Sequence, residues 1–333
     1  MLKIIFFSAK QYDEESFNLS FEKSKDSYKV KYLDFLLSEK TVKLAHGYDV
    51  VCGFVNDDFS RPVIESLAQN GVKLILMRCA GVDKVDLAAA KEFGLQVVNV
   101  PAYSPQAVAE HTVGLMMTLN RHFHKAYQRT RDANFNLDGL VGFNFSGKTV
   151  GVIGTGRIGY AVMQILKGFG MNIICSDPYI NQAAVELGAE YVSLDELYAR
   201  ADIITLHCPM TKENHYLLNS DAMDKMKDGV MIINTSRGKL IDSNAAVKHL
   251  NSGKIGSLGL DVYEHEKDLF FQDNSNTLVV DDVFRILSAS YNVIFTGHQA
   301  FLTKEALNNI AHISLKNLED FFAEKESGNE LVK

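Results

Sequence analysis

Residues 148–177, KTVGVIGTGRIGYAVMQILKGFGMNIICSD, decide the fold. The stretch opens with an apolar, β-branched run at 150–153, which is typical of a buried parallel strand. Residues 154–159 then read G-T-G-R-I-G, a G-x-G-x-x-G pattern at the point where the strand should end and a helix should begin. Apolar residues at helical spacing follow, and a second strand ends on Asp177. The stretch therefore predicts a βαβ unit.

Each residue type in this pattern has a mechanical reason. Gly154 permits a tight turn, Gly156 lets a pyrophosphate approach the backbone, and Gly159 lets helix and strand pack closely. The helix N-terminus supplies N–H groups and a positive dipole end for the phosphates. Asp177 can bind the ribose hydroxyls and repel a 2′-phosphate, which favours NAD over NADP. A glycine pattern alone also fits an ordinary βα turn, but the flanking strand, helix and acid together indicate a dinucleotide site.

The composition bounds the class of protein. A chain of 333 residues is long for one hydrophobic core, so two domains are expected. The net charge of −7 argues against a nucleic-acid or anionic-membrane partner. No stretch approaches the length of a membrane-spanning helix, and the apolar run 4–7 is too short for a signal peptide. The cysteines are widely spaced in or beside apolar runs, which predicts core thiols in a reducing cytoplasm, without disulfides or a metal site. They are Cys52, Cys79, Cys175 and Cys208.

Strands and helices alternate on both sides of the glycine turn, which predicts an α/β protein with two doubly wound, Rossmann-like parallel sheets. Before the turn the expected strands are 2–7, 28–32, 49–54, 73–77 and 96–98, with helices at 62–68 and 85–93. After it the expected strands are 203–206, 230–234, 255–261 and 293–295, with helices at 194–200, 220–226, 243–251 and 281–288. The first sheet has no glycine pattern and is the candidate substrate domain.

Two connections define the expected domain boundaries. Ser104 and Pro105 read as a helix N-cap and first residue, which predicts one long helix over 106–131. An amphipathic helix over 303–324 follows the last strand almost directly and should return to the first domain. The expected domains are 1–100 plus 299–333 for substrate and 101–298 for NAD, with a hinge and a cleft between them.

Polar residues follow three strands of the second domain, at the ends where a doubly wound sheet binds ligand. Arg237 could clamp a carboxylate, although its position alone favours function and a surface role about equally. The acids of DVYEHE, residues 261–266, read in isolation as a solvated loop. If Glu266 reached His298, the carboxylate would favour an imidazolium, which could protonate a ketone as hydride arrives from a nicotinamide. We assign His111, His207 and His215 to packing or local hydrogen bonding.

The segments GTGRIG, HCPMTKEN, NTSRG, LDVYEHE and TGHQAFLT occur in an order that resembles the D-2-hydroxyacid dehydrogenases, most closely the fermentative D-lactate dehydrogenases of bacteria. The resemblance covers essentially the whole chain, including RCAGVDKVDL and NVPAYSPQAVAEHTVG. It implies reduction of pyruvate with NADH, with Arg237 binding the substrate, Glu266 as the dyad carboxylate and His298 as the acid/base. It implies cofactor contacts at Gly154, Gly156, Arg157, Ile158, Gly159, Asp177, Cys208, Pro209, Asn214, Thr235, Ser236 and Asp261. It implies substrate contacts at Ala80, Gly81, Tyr103, Arg237, His298 and Phe301.

The resemblance leaves the substrate side chain and the assembly open. Many lactobacillar members have tyrosine where this chain has Phe301, so a bulkier 2-keto acid such as phenylpyruvate is the alternative to pyruvate. The C-terminal-binding corepressors share the fold and the Arg, Glu and His set, and a protein of that class would bind NADH with little turnover. The resemblance also implies a homodimer built on the nucleotide domain and its long helix, although some members of the family are homotetramers.

Overall fold

The computed structural model describes residues 1–25 and 27–332. The chain divides into two compact units, Met1–Ser104 with Leu302–Lys333, and Pro105–Phe301. The chain passes from one unit to the other at 104/105 and at 301/302.

The first unit contains a five-stranded parallel sheet. Its strands are β1 (Leu2–Phe6), β2 (Tyr28–Tyr32), β3 (Val50–Gly53), β4 (Leu74–Met77) and β5 (Gln96–Val98), in the order β2-β1-β3-β4-β5. Every residue of β3 and β4 is buried, as expected for parallel strands covered on both faces. The helices are α1 (Gln11–Phe21), α2 (Arg61–Gln69), α3 (Leu87–Glu92) and, from the end of the chain, α12 (Lys304–Phe322). Helix α12 packs on α1, so the last helix lies in the first unit.

The second unit contains a seven-stranded parallel sheet. Its strands are β6 (Thr149–Ile153), β7 (Asn172–Ser176), β8 (Glu190–Tyr191), β9 (Ile203–Leu206), β10 (Val230–Asn234), β11 (Ile255–Leu260) and β12 (Val293–Phe295). Their order, β8-β7-β6-β9-β10-β11-β12, is the dinucleotide-binding order 3-2-1-4-5-6 with one added strand. The strand order reverses between β6 and β9, which is where such sheets bind ligand. The predicted fold class, two doubly wound parallel sheets, is confirmed.

Two apolar clusters cover the faces of this second sheet. Val150 and Val152 of β6 lie in one cluster, and Ile153 lies in the other. Strand β9 alternates in the same way, with Ile203 in the first cluster and Ile204 in the second. Successive strand residues point to opposite faces, so both faces are apolar and both require helices.

The helices of the second unit differ from the prediction in one place, the region expected to form a single long helix. They are α4 (Pro105–Arg121), α5 (Phe123–Arg131), α6 (Arg157–Gly168), α7 (Gln182–Glu186), α8 (Leu194–Arg200), α9 (Ser220–Asp224), α10 (Ser243–Asn251) and α11 (Asp282–Ala289). Helix α4 begins at Pro105, but the prediction of one helix over 106–131 is wrong. His122 has a left-handed backbone with φ of 52°, and a right-handed helix cannot continue through that conformation. In residues 1–25 and 27–332 we find no helix with both the length and the apolar character that crossing a membrane requires.

Candidate cofactor and catalytic site

The three glycines of the turn after β6 have different surroundings. A Cβ on Gly154, whose φ is 96°, would lie 2.6 Å from the Cys208 nitrogen, so this glycine lets the loop after β9 approach the turn. A Cβ on Gly159 would lie 2.0 Å from the Gly154 carbonyl oxygen, within the strand-to-helix contact. A Cβ on Gly156 would meet no atom within 4 Å. Space is therefore open at the one glycine where a pyrophosphate should approach the backbone, and the turn fits a dinucleotide.

Residues Arg157 and Ile158 form the first turn of α6, whose N-cap is Gly156. The first N–H groups of a helix have no partners within the helix and point along its axis, toward the place where an anion would lie. The exposed Gly156 and Arg157 leave this helix end accessible. The predicted phosphate contacts therefore lie together at the reversal point of the sheet.

Asp177 lies at the end of β7, beside the glycine turn. Its carboxylate accepts hydrogen bonds from the Thr155 N–H at 2.7 Å and the Tyr179 N–H at 2.8 Å. Thr155 is held in turn by the Tyr191 hydroxyl at 2.8 Å and by the Asn181 side-chain amide at 2.7 Å. Because a carboxylate offers about four lone-pair positions, Asp177 can still accept ribose hydroxyls while these bonds fix it.

The loop after β9 carries the predicted residues Cys208, Pro209 and Asn214. The Asn214 side chain closes this loop, accepting from the Thr211 N–H at 2.6 Å and donating to the Pro209 carbonyl at 2.7 Å. The Cys208 carbonyl accepts from the Ser236 hydroxyl at 2.6 Å, which joins this loop to the one after β10. Burial raises the pKa of the Cys208 thiol to about 11, so the thiol is protonated at neutral pH.

The loop after β10 carries Arg237. Asn234, the fully buried last residue of β10, accepts from the Ser236 N–H at 3.0 Å and donates to the Arg237 carbonyl at 2.9 Å. These two bonds fold the turn that presents Arg237. A Cβ on Gly238 would lie 2.1 Å from the Tyr263 carbonyl carbon, so this glycine lets the Arg237 loop pack against the backbone that leads to Glu266.

Asp261, at the end of β11, anchors the loop after β12. Its side chain is 1% exposed and accepts from the Thr296 hydroxyl at 2.5 Å, the Gln299 N–H at 2.9 Å and the Ala300 N–H at 3.0 Å. Burial by itself would raise the pKa of Asp261, but hydrogen bonds from His111 and Thr296 outweigh it and hold the pKa below its ordinary value. The carboxylate is therefore ionised at neutral pH and orders the residues on either side of His298.

The three acids of the loop after β11 each have a defined partner, and the loop is not simply solvated. Glu264 accepts from the Tyr216 hydroxyl at 2.6 Å. Glu266 Oε1 lies 3.1 Å from His298 Nδ1, and its Oε2 accepts from the Tyr263 N–H at 3.2 Å. The side chains of His298 and Glu266 are 19% and 18% exposed, so the pair is largely screened but open to a small ligand.

The remaining predicted residues lie in the first unit or at the end of the second. Ala80 and Gly81 lie in the loop after β4, where the Ala80 carbonyl accepts from the Asn99 amide at 3.0 Å. The Tyr103 carbonyl accepts from the Asn309 amide at 2.7 Å. Phe301 is buried at the end of the second unit.

The sequence did not predict a supporting role in the site for four polar residues: His111, Thr112, Asn234 and Thr296. Of these, only Asn234 had a local signal, since it is a polar residue that ends an otherwise apolar strand. His111 does form a hydrogen bond, as expected, but its partner is distant in sequence: its Nε2 lies 3.1 Å from the hydroxyl of Thr296, 185 residues away.

The carboxyl ends of parallel strands meet at one edge of a sheet, so the glycine turn and the Glu266–His298 pair lie along the same edge of the second unit. A nicotinamide transfers hydride, and reduction of a carbonyl also needs a proton, which a paired imidazole can supply. These features define the class of dinucleotide-dependent oxidoreductases.

Comparison with known proteins narrows this class. Residues 113–300 match the family described as D-isomer specific 2-hydroxyacid dehydrogenase, NAD binding domain. The D-lactate dehydrogenase of Escherichia coli is 58% identical over 99% of this chain and 100% of its own, and a 2-hydroxyacid dehydrogenase homolog of Haemophilus influenzae is 61% identical over 95% of each chain. The apo structure of the E. coli enzyme superposes with a TM-score of 0.91 at 56% identity, covering 99% of this chain and 100% of that one. A D-lactate dehydrogenase structure from Aquifex aeolicus, complexed with NAD and lactic acid, gives a TM-score of 0.87 at 34% identity over 99% of both chains. The chain belongs to the D-isomer specific 2-hydroxyacid dehydrogenase family, and its cofactor is NAD.

Proposed function

We propose that this protein reduces pyruvate to D-lactate with NADH and a proton, and catalyses the reverse reaction. The contact between Glu266 and His298 carries the proposal, because it supplies the proton donor that carbonyl reduction needs. The similarity to the E. coli D-lactate dehydrogenase over nearly its whole length supports the choice of substrate.

When bound, NADH supplies the hydride for the carbonyl carbon of the keto acid. His298 gives a proton to the carbonyl oxygen. Its Nδ1 faces Glu266 Oε1 at 3.1 Å, so Nε2 is the atom that donates. Glu266 fixes the orientation of the ring and stabilises the imidazolium before transfer, and in the reverse direction the neutral imidazole accepts the proton.

Arg237 binds the substrate carboxylate. A guanidinium offers two parallel N–H donors that match a carboxylate, and the Asn234 bonds hold the backbone that presents it. The backbone N–H groups around Ala80 and Gly81, with Tyr103 and Phe301, complete the proposed substrate contacts. These four assignments rest on the family resemblance.

The test replaces His298 by Gln, which keeps hydrogen-bonding capacity but cannot transfer a proton. General acid catalysis contributes roughly 10²- to 10⁴-fold, so we expect kcat for pyruvate to fall by at least about 100-fold. The dissociation constant for NADH, measured by fluorescence, should stay within about twofold, because His298 takes no part in phosphate or ribose binding. The exposed His46 gives a matched control, His46→Gln, with unchanged turnover. Near-normal kcat in the His298 variant would contradict the assigned role.

The same assay separates the alternatives. We expect kcat/KM for pyruvate to exceed that for phenylpyruvate, and chiral analysis to give D-lactate. The opposite ranking would identify a dehydrogenase of bulkier 2-keto acids. Tight NADH binding by the wild-type protein without turnover of either keto acid would favour a corepressor-like role.

We further propose a cytoplasmic homo-oligomer that assembles through the second unit. Apolar side chains around α5 and the segment after it are exposed, with Tyr127 at 62%, Phe135 at 72%, Leu137 at 77% and Val141 at 88%. Large apolar side chains exposed within one short segment suit contact with a second copy of the chain. None of the four cysteines, all within the described residues, forms a disulfide, as suits a reducing compartment.

A further inference from the structure

We propose that His111, on α4, is a positioning residue for His298 and acts through Thr296 and Asp261. The inference rests on the proposed function, in which His298 transfers the proton. The proposed role gives His111 no contact with the substrate or with NADH.

The loop that carries His298 requires outside support because its backbone is strained. His298 has a φ of 54°, a left-handed conformation that residues other than glycine adopt at a cost. Its N–H donates to the Asp261 carbonyl at 2.8 Å. The Asp261 carboxylate then binds Thr296 on one side of His298, and Gln299 and Ala300 on the other. Asp261 is therefore the anchor that holds the left-handed residue in place.

His111 completes this anchor from a different element. Its Nε2 lies 3.1 Å from Thr296 Oγ1 and 3.4 Å from Asp261 Oδ1. A threonine hydroxyl has one hydrogen, and that of Thr296 points to Asp261 at 2.5 Å. Thr296 can therefore only accept from His111, so Nε2 of His111 carries a hydrogen. His111 donates into the Thr296–Asp261 pair and orients both groups.

Loss of this donor should change the position of His298. Without it, an acceptor position on the Thr296 oxygen is left unfilled and the buried Asp261 carboxylate loses an adjacent donor, so the loop can relax from its strained geometry. A displacement of about 1 Å in a catalytic group costs roughly 100-fold in rate. The expected result is a lower kcat with NADH binding nearly intact, since the glycine turn and Asp177 are untouched and Asp261 keeps its bonds from the Gln299 and Ala300 N–H groups.

The experiment compares His111→Leu, His111→Gln and Glu110→Gln. Glu110 is the exposed neighbour of His111 and serves as the control. We expect His111→Leu to lower kcat for pyruvate by about tenfold or more, with KM within about threefold and the NADH dissociation constant within about twofold. Glutamine retains an N–H donor and should recover most of the lost rate. A leucine variant with kcat within twofold of wild type, or a glutamine variant as slow as the leucine variant, would overturn the proposal.

A second variant tests the same hydrogen bond in case His111→Leu does not fold. Thr296→Val removes the acceptor of the same hydrogen bond and should lower kcat in the same way. The double variant should be no slower than the slower single variant, because both changes act along one path. Additive losses would overturn the proposal.

Failure of the proposed function would look different. If the wild-type protein reduced no 2-keto acid, the proposed function would be wrong, and the positioning role would be tested by NMR with ¹³Cε1-labelled histidine. His298→Gln assigns the His298 resonance. We expect His111→Leu to shift this resonance and Glu110→Gln to leave it unchanged, and an unshifted resonance would refute the positioning role.

Discussion

Replacing Gly156 by alanine should separate cofactor binding from folding. Gly156 has φ of −65° and ψ of −167°, a conformation open to alanine without strain, and its added Cβ would meet no protein atom within 4 Å. The new methyl group would stand in the space where the pyrophosphate should approach the backbone. We therefore expect the substitution to preserve or slightly raise thermal stability and to weaken NADH binding.

The magnitudes follow from these surroundings. An unstrained Gly→Ala change stabilises a fold by about 0.4 to 1 kcal/mol, because the unfolded chain loses freedom, so Tm should hold or rise slightly. Hydrogen bonds to charged groups contribute about 1.5 to 3 kcal/mol each. Loss of one such bond to the pyrophosphate would raise the NADH dissociation constant by roughly 10- to 100-fold.

The assay pairs calorimetry of the protein without cofactor with a fluorescence titration of NADH. Gly159→Ala is the matched control, because its Cβ would lie 2.0 Å from the Gly154 carbonyl oxygen. Overpacking of that kind costs about 1 to 3 kcal/mol or more, so this variant should lose thermal stability as well as affinity. Wild-type affinity for NADH in Gly156→Ala would refute our placement of the pyrophosphate.

Two further predictions concern residues beside the catalytic loops. The Thr112 hydroxyl donates to the Val108 carbonyl at 2.7 Å and lies 2.9 Å from the hydroxyl of Thr235, two residues before Arg237 in the chain. Thr112→Val should therefore loosen the Arg237 loop, and steady-state kinetics should show KM for pyruvate raised by about three- to tenfold with less effect on kcat. A lower kcat at unchanged KM would contradict this. Burial lowers the pKa of His207 from 6.5 to about 3. The stability that the neutral ring contributes is therefore complete above pH 6.5. Between pH 6.5 and about 3 it falls by up to about 1.4 kcal/mol for each unit that the pH is lowered. Urea unfolding at pH 7 and pH 5 should therefore show a smaller acid loss for His207→Gln than for the wild type, and equal losses would show that His207 does not bind a proton on unfolding.

Much of the second unit could be predicted because its signals are local. The apolar run of β6, the glycine turn and the stripe of α6 follow one another within residues 149–168, and each determines its own element. The end of α4 could not be predicted in this way. The apolar and basic pattern continues through His122, and only its left-handed backbone divides the helix in two. Helix α1 received no prediction, since QYDEESFNLSF is mostly polar and has a weak apolar stripe.

The proposed catalytic residues and the residues that hold them differ in the same respect. Arg237, Glu266 and His298 each follow a strand, so chain position and family resemblance suffice to select them. His111 and Thr112 are adjacent on α4, but their partners lie 185 and 123 residues further along the chain. Nothing near either residue in the sequence indicates that one reaches the loop of His298 and the other the loop of Arg237. Through these two neighbours a single helix contacts both the proposed proton donor's loop and the proposed carboxylate-binding loop. A change at α4 should therefore divide into an effect on kcat through His111 and an effect on KM through Thr112.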